Sequence, residues 1–123
     1  MNRVTLEEMA ISELVDRFAA ICLDQDRALL YSEIAKFNQL YRQMAAVRDE
    51  LKQRPGDQRR ALLALYDHEN AQVRLQAATA SLAVAPDEAR KLIETIASSR
   101  KFPQAGDAGM TLVNLDRGIF KPT

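Results

Sequence analysis

The only histidine of the chain, His68, lies between two carboxylates in the segment Asp67-His68-Glu69-Asn70. A histidine beside a carboxylate can act in general acid–base catalysis, and paired carboxylates can hold a metal ion. A catalytic site also needs a nucleophile or further ligands, and the flanking sequence provides none. Short polar side chains of this kind more commonly bond the backbone in turns. We therefore expect His68 to be a turn residue or a surface contact, and we expect no enzyme activity, cofactor or metal.

Arg74 follows Asp67 by seven residues. The aspartate falls in the predicted turn and the arginine on the helix predicted to follow it. An ion pair across this turn would join the two elements, and removing one partner of a buried pair costs about 3–5 kcal/mol. We therefore predict a structural salt bridge between Asp67 and Arg74.

A single cysteine, Cys22, excludes an internal disulfide. It falls on the apolar stripe of the first predicted helix, and no cationic neighbour or second cysteine indicates a lowered pKa. We expect a buried structural thiol.

The densest basic cluster consists of Lys52, Arg54, Arg59 and Arg60, on both sides of the turn between the second and third predicted helices. Such a cluster could contact an acidic protein or the phosphates of a nucleic acid. No aromatic residues interleave with it, and the chain has 17 basic and 17 acidic side chains, so its net charge is zero. This balance argues against nucleic acid as the partner.

Charge is unevenly placed along the chain. Residues 1–26 hold two basic and six acidic side chains, whereas residues 27–60 hold eight basic and four acidic ones. Two interpretations stay open: the charges of the first two helices complement each other, or the second helix offers a basic strip to an acidic partner.

On the second helix Tyr31 and Asn38 are the candidate partner contacts, and we assign Tyr41 to the core.

Apolar periodicity and capping residues predict six helices, near residues 6–23, 28–53, 58–66, 71–85, 86–97 and 105–117. Thr5 and Glu8 form a capping box for the first helix, and Asp24-Gln25-Asp26 ends it. The second helix has an apolar row and a kink near Tyr31-Ser32. The row is Leu30, Ile34, Phe37, Tyr41, Met44 and Leu51.

Local sequence signals also predict where the later helices begin and end. Asp57 is predicted to cap the third helix and Asn70 the fourth, and Pro86 suits the first turn of the fifth. In the sixth, Gly106 and Gly109 predict close packing against another helix, and Gly118 predicts a left-handed end.

The centre of the chain resembles a HEAT-type repeat. The resemblance rests on a leucine pair, a turn aspartate, a Val-Arg pair and small apolar residues after it: Leu62, Leu65, Asp67, Val73, Arg74, Ala77, Ala78 and Leu82. In that family the turn aspartate and the arginine commonly make structural bonds between successive repeats. The resemblance implies a short α-solenoid of antiparallel helix pairs.

The whole chain also resembles a small bacterial family of unknown function with HEAT-like helices. The DHEN-x2-VR-x2-AA core and the closing segment DAGMTLVNLDRGIFKP carry this second resemblance. Small bacterial proteins of HEAT-like fold include immunity proteins, and some HEAT-like folds bind DNA.

Together these observations predict one all-α, HEAT-like domain over residues 1–123. We expect a non-enzymatic protein-protein interaction module, of the immunity or adaptor kind, that is a monomer or homodimer. The alternative is a nucleic-acid-binding protein that uses the Lys52–Arg60 cluster. No run approaches the ~20 apolar residues of a membrane span, and the first ten residues hold no apolar signal core. We therefore expect a cytoplasmic protein without membrane contact.

Overall fold

The structure, a computed structural model, describes residues 5–123. Five α-helices, two 3₁₀ helices and no β-strand make up the regular structure of these residues. The α-helices are Ile11–Leu30 (α1), Ile34–Gln53 (α2), Ala71–Ser81 (α3), Pro86–Ser98 (α4) and Gln104–Asp116 (α5). The 3₁₀ helices are Leu6–Glu8 and Gln58–Leu65. The predicted all-α class is thereby confirmed.

The chain divides into two compact units, Met1–Ala61 and Leu62–Thr123. The expectation of a single domain over residues 1–123 stays a prediction. No helix within residues 5–123 is both long and apolar enough to cross a membrane.

In the first unit, α1 begins five residues later than predicted. Thr5 makes no side-chain capping bond, because the 3₁₀ turn Leu6–Glu8 and an extended Met9 separate it from the helix. The N–H of Ala10 instead donates to the carboxylate of Glu13 at 3.0 Å. Alanine has no acceptor to return the bond, so this is half of a capping box.

The turn between α1 and α2 also differs from the prediction. Asp24-Gln25-Asp26 does not end the helix, because Gln25 faces inward and is fully buried. The chain reverses where a kink was expected, with Ser32 in the left-handed region at φ +55°. The N–H of Glu33 donates to the carbonyl of Ala28 at 2.8 Å and closes the turn.

α1 packs against α2 as a helical hairpin. Both helices contribute buried apolar side chains: Leu14, Val15, Phe18, Ile21, Cys22, Leu40, Met44, Val47 and Leu51.

The third predicted helix exists, but it is a 3₁₀ helix. Asp57 lies just before it at φ +50° rather than in the extended conformation of an N-cap. Its carboxylate accepts from the N–H of Arg59 at 3.2 Å. Leu62 and Leu65 are buried as the repeat-like pattern predicts.

In the second unit, α3 packs against α4, and α4 packs against α5. Asn70 caps α3 as predicted: its Oδ1 accepts from the N–H groups of Gln72 at 2.9 Å and Val73 at 3.2 Å. Pro86 is the first residue of α4, also as predicted. The core of the unit consists of Leu75, Ala78, Leu82, Ala89, Ile93, Ile96 and Ala108.

The two glycines of α5 contradict the prediction of close helix packing. A Cβ atom at Gly109 would meet no other atom within 4 Å, and one at Gly106 would meet only the ring of Phe102, at 3.6 Å. Gly118 follows the helix at φ +70°, as predicted. Phe120 then packs against the core of this unit, whereas Ile119 is exposed.

Candidate functional site

The turn of the first hairpin presents large apolar side chains to solvent. Leu30 is 76% exposed, Tyr31 66%, Ile34 72% and Tyr41 44%, and Asn38 is exposed among them. We call these five residues the hairpin-end surface. Tyr31 and Asn38, the candidate partner contacts on the second predicted helix, are both exposed, and their role as contacts stays a prediction.

Helical geometry places part of this surface in one row. Ile34, Asn38 and Tyr41 stand at i, i+4 and i+7 on α2, which is one face of a helix. The buried face of α2 begins at Leu40 and Met44. The predicted core position of Tyr41 is therefore wrong, and Leu30 and Ile34 of the predicted apolar row are exposed as well.

The signal that could have corrected them was the predicted kink at Tyr31-Ser32. A chain reversal there leaves Leu30 and Ile34 at the tip of a hairpin, where no neighbouring helix turn remains to cover them.

The chemistry of the hairpin-end surface suits macromolecular contact. Two tyrosines offer rigid apolar rings with a hydroxyl, Leu30 and Ile34 add apolar area, and the amide of Asn38 can donate and accept. Large exposed apolar residues in contiguous groups mark interaction surfaces, and tyrosine is enriched in the residues that dominate binding energy.

The basic cluster is largely committed to contacts within the chain. The Nε of Arg54 lies 2.6 Å from Oε2 of Glu50, one helical turn earlier. Its Nη2 donates to the carbonyls of Leu6 at 3.0 Å and Met9 at 2.8 Å. Hydrogen bonding from Arg54 lowers the pKa of Glu50 despite the burial of that carboxylate. Arg54 therefore fastens the N-terminal segment to the end of α2.

Arg59 is likewise paired. It is only 6% exposed, and its guanidinium contacts Asp57 at 2.9 Å and 2.6 Å. These bonds lower the pKa of Asp57, with a smaller contribution from the charge of Lys52. The proposal of Arg54 and Arg59 as partner contacts is therefore corrected, because the carboxylates of Glu50 and Asp57 hold them. Lys52 and Arg60 are exposed.

The predicted salt bridge of Asp67 with Arg74 is absent from the ion pairs of residues 5–123. The Nη1 of Arg74 donates to the carbonyls of His68 at 2.6 Å and Glu69 at 3.0 Å. Turn carbonyls have no helical partner, so the guanidinium of Arg74, in the first turn of α3, satisfies them. Asp67 is exposed. The arginine still fastens the turn to α3, through the backbone.

His68 takes part in the same turn. Its Nδ1 accepts from the N–H of Asn70 at 3.0 Å, which fixes the ring beside the start of α3. This geometry suits the predicted turn residue. Within residues 5–123 no group of three histidine, cysteine, aspartate or glutamate side chains could hold a metal ion.

Cys22 is buried beside Met44, with its Sγ 3.8 Å from the methionine sulfur. The amide of Gln25 donates to the same sulfur at 3.5 Å. Burial raises the pKa of Cys22 to about 12. A thiol with this pKa is protonated at neutral pH and is a poor nucleophile.

One open groove lies in the second unit. Its volume is about 350 Å³, and it is lined by Leu82, Ala83, Pro86, Arg90, Leu115 and Pro122. Its one charged side chain, Arg90, pairs with Asp116 at 3.0 Å and with Glu94 at 3.6 Å. Hydrogen bonding to Asp116 raises the pKa of Arg90. The lining of the groove is thus apolar apart from Arg90, whose positive charge is balanced by two carboxylates.

Comparison with known proteins places the chain in a family. A family profile described as a domain of unknown function, DUF2019, matches residues 12–116. The crystal structure of the protein RPA1889 from Rhodopseudomonas palustris CGA009 is similar, with 54% sequence identity and a TM-score of 0.94. That match covers 98% of this chain and 100% of the other. No curated protein matches the sequence. The chain therefore belongs to the DUF2019 family, whose function is unknown.

Proposed function

We propose that this protein is a non-enzymatic binding module that holds another protein through the hairpin-end surface. The observation that carries the proposal is the exposure of Leu30, Tyr31 and Ile34 together at one turn. Exposing large apolar side chains costs solubility without stabilising the fold, so a group of them is best explained by a partner that covers them.

The composition of this surface supports a protein partner. Interface cores are enriched in tyrosine and depleted of charge, and polar groups surround them. Tyr31 and Tyr41 fit the first property. Arg27, Glu33, Lys36 and Arg42 are exposed nearby in sequence and supply a charged rim of both signs.

The proposal includes the HEAT-like interpretation of the fold. Consecutive antiparallel helices with short turns, such as α1 with α2 and α3 with α4, are the units of which such solenoids are built. An immunity or adaptor protein would use a stack of this kind as a docking surface. Cytoplasmic location remains part of the proposal.

The nucleic-acid alternative is the weaker one. It requires the Lys52–Arg60 cluster to face phosphates. The guanidinium groups of Arg54 and Arg59, however, each form an ion pair with a carboxylate of the chain. A phosphate would have to displace Glu50 or Asp57. We expect no binding of DNA or RNA probes at physiological salt.

The proposal is tested by affinity capture from the lysate of the protein's own host, with quantitative mass spectrometry. The substitution Ile34→Glu places a charge on the hairpin-end surface at the first residue of α2, where an acidic side chain suits the helix end. Thr95→Glu, on the exposed side of α4, is the matched control. A genuine partner is recovered at least tenfold less with Ile34→Glu and equally with Thr95→Glu. If no captured protein follows this pattern, the proposal is rejected.

A further inference from the structure

α2 carries a row of side chains that is separate from the row packed against α1. It begins in the hairpin-end surface and continues along the helix in alternating steps of four and three residues, which is the spacing of a coiled-coil seam. We call this row the α2 seam. Its members are Ile34, Asn38, Tyr41, Ala45, Arg48 and Lys52.

The α2 seam is open to a partner. At 3.6 residues per turn it lies about a third of a turn round the helix from the buried row. All of its members are exposed except Ala45 and Arg48, which are half-buried. The buried row consists of Leu40, Met44, Val47 and Leu51. α2 therefore has one face for its own core and a second face available for contact.

The sizes of the seam side chains suit a second helix. Ile34 and Tyr41 project from the hairpin end as apolar anchors, and the small Ala45 lets a neighbouring backbone approach closely. A single asparagine in such a row, here Asn38, is compatible with helix pairing and fixes its register. From Ile34 to Lys52 the seam is ~27 Å long at 1.5 Å per residue, which matches about five turns of a partner helix.

The ion pairs of the first unit leave positive charge on this face. Of the four carboxylates in residues 27–60, three each pair with an arginine, and Glu33 remains. Within residues 5–123 neither Arg42 nor Lys52 forms an ion pair, and no carboxylate of α1 pairs with them. The charges of the first two helices therefore do not neutralise each other at these two side chains.

The two unpaired cations lie along the seam. Arg42 directly follows Tyr41 and stands on the flank of the seam, where coiled coils form ion pairs between helices. Lys52 ends the seam. The third cation, Arg48, lies 3.0 Å from Asp49 and is balanced by it. A helix that complements this face carries apolar residues opposite the hairpin end and carboxylates opposite Arg42 and Lys52.

We propose that the α2 seam binds an acidic amphipathic helix of the partner protein. This inference rests on the proposed function, since it names the chemistry of the partner that covers the hairpin-end surface. A nucleic-acid backbone has the same sign of charge, but it lacks the apolar side chains that would cover Ile34 and Tyr41.

Two double variants that lower the net charge of the chain equally test the proposal. Arg42→Gln with Lys52→Gln removes two positive charges at the seam. Gln43→Glu with Thr95→Glu adds two negative charges at exposed positions away from it. In affinity capture from the host lysate, we expect the seam variant to recover the partner at least tenfold less than the wild type does. The control should recover it equally.

The same experiment separates this inference from the proposed function. A protein that is lost with Ile34→Glu and kept with the seam variant would uphold the proposed function and overturn the acidic partner. Equal losses from the two double variants would also overturn it, because they would report only the net charge of the chain. If no captured protein is lost with Ile34→Glu, both proposals are rejected.

Photo-cross-linking then identifies the chemistry of the bound segment. A photoreactive phenylalanine analogue replaces Asp49, exposed on the flank of the seam, in one variant and Gln43, on the other side of α2, in the control. We expect a partner peptide at least tenfold enriched from position 49, with a net negative charge and apolar residues three and four apart. A peptide without excess negative charge, or equal cross-linking from the two positions, would overturn the proposal.

Discussion

Arg54 and Glu50 form an ion pair one helical turn apart at the end of α2, with 2.6 Å between Nε and Oε2. The same guanidinium reaches the carbonyls of Leu6 and Met9, 48 and 45 residues earlier in the chain. The carboxylate orients the arginine, and the arginine anchors the N-terminal segment. Arg54, which belongs to the basic cluster of the sequence, thus stabilises the fold.

Removing this anchor should destabilise the protein. Arg54→Ala deletes bonds from a charged donor to two carbonyls, and such bonds contribute about 1.5–3 kcal/mol each at most. We expect a loss of roughly 2 kcal/mol in the free energy of unfolding, measured by urea denaturation. Lys52→Ala, on the same helix and exposed, is the control and should change stability by less than about 0.5 kcal/mol. Equal effects of the two substitutions would show that Arg54 is not an anchor.

The paired carboxylates predict how stability depends on pH. The pKa of Glu50 and that of Asp57 are lower in the folded protein, chiefly through hydrogen bonds from Arg54 and Arg59. As pH falls, the unfolded chain binds these protons first, at about pH 4. The stabilisation is therefore complete above roughly pH 5 and is lost as pH drops through the folded pKa values.

The variant Glu50→Gln isolates one of these groups. It should be less stable than the wild type at pH 7, and it should lose less stability between pH 5 and pH 3, because one linked proton is removed. Thermal melts between pH 5 and pH 3 measure how the stability of the wild type and of the variant changes with pH. Parallel curves for the two proteins would show that Glu50 has no lowered pKa.

A buried amide pair joins α3 to α5. Nε2 of Gln104 donates to Oε1 of Gln72 at 3.0 Å, and both residues are buried. Replacing either by leucine removes this hydrogen bond from the other buried amide, which costs about 1–3 kcal/mol. We expect the double substitution to cost less than the sum of the single ones. Additive free energies of unfolding would mean that the pair is not coupled.

Gly109→Ala should stabilise the fold. The substitution adds a methyl group into open space, so the free energy of unfolding should rise by roughly 1 kcal/mol from helix propensity. Thermal melts of the variant and the wild type measure this gain. A variant that melts below the wild type would contradict the open space at this position.

Helix boundaries could be predicted where one residue decides them by its own chemistry. Asn70, Pro86 and Gly118 act through a side-chain acceptor, a missing N–H and a permitted positive φ, and each is found where the sequence predicts it. Thr5 and the Asp24–Asp26 segment failed because tertiary packing overrode them. Gln25 is buried inside α1 although its neighbours favour a turn.

The exposed surfaces were harder to predict. Leu30, Ile34 and Tyr41 continue the apolar spacing of Met44 and Leu51, and spacing alone does not reveal where the opposing helix ends. The prediction of close helix packing at Gly109 failed for a similar reason, because the sequence does not reveal whether another helix lies beside this position. The first of these failures concerns the surface where we infer that another protein supplies the contact.

The most direct test of the central claim is photo-cross-linking from the hairpin-end surface in the host cell. A photoreactive phenylalanine analogue replaces Tyr31 in one variant and Lys91, exposed on α4, in the control. We predict one protein, distinct from this chain, that is cross-linked from position 31 and not from position 91. Cross-links from position 31 that match those of the control, or that join only two copies of this chain, would contradict a partner-binding role for this surface.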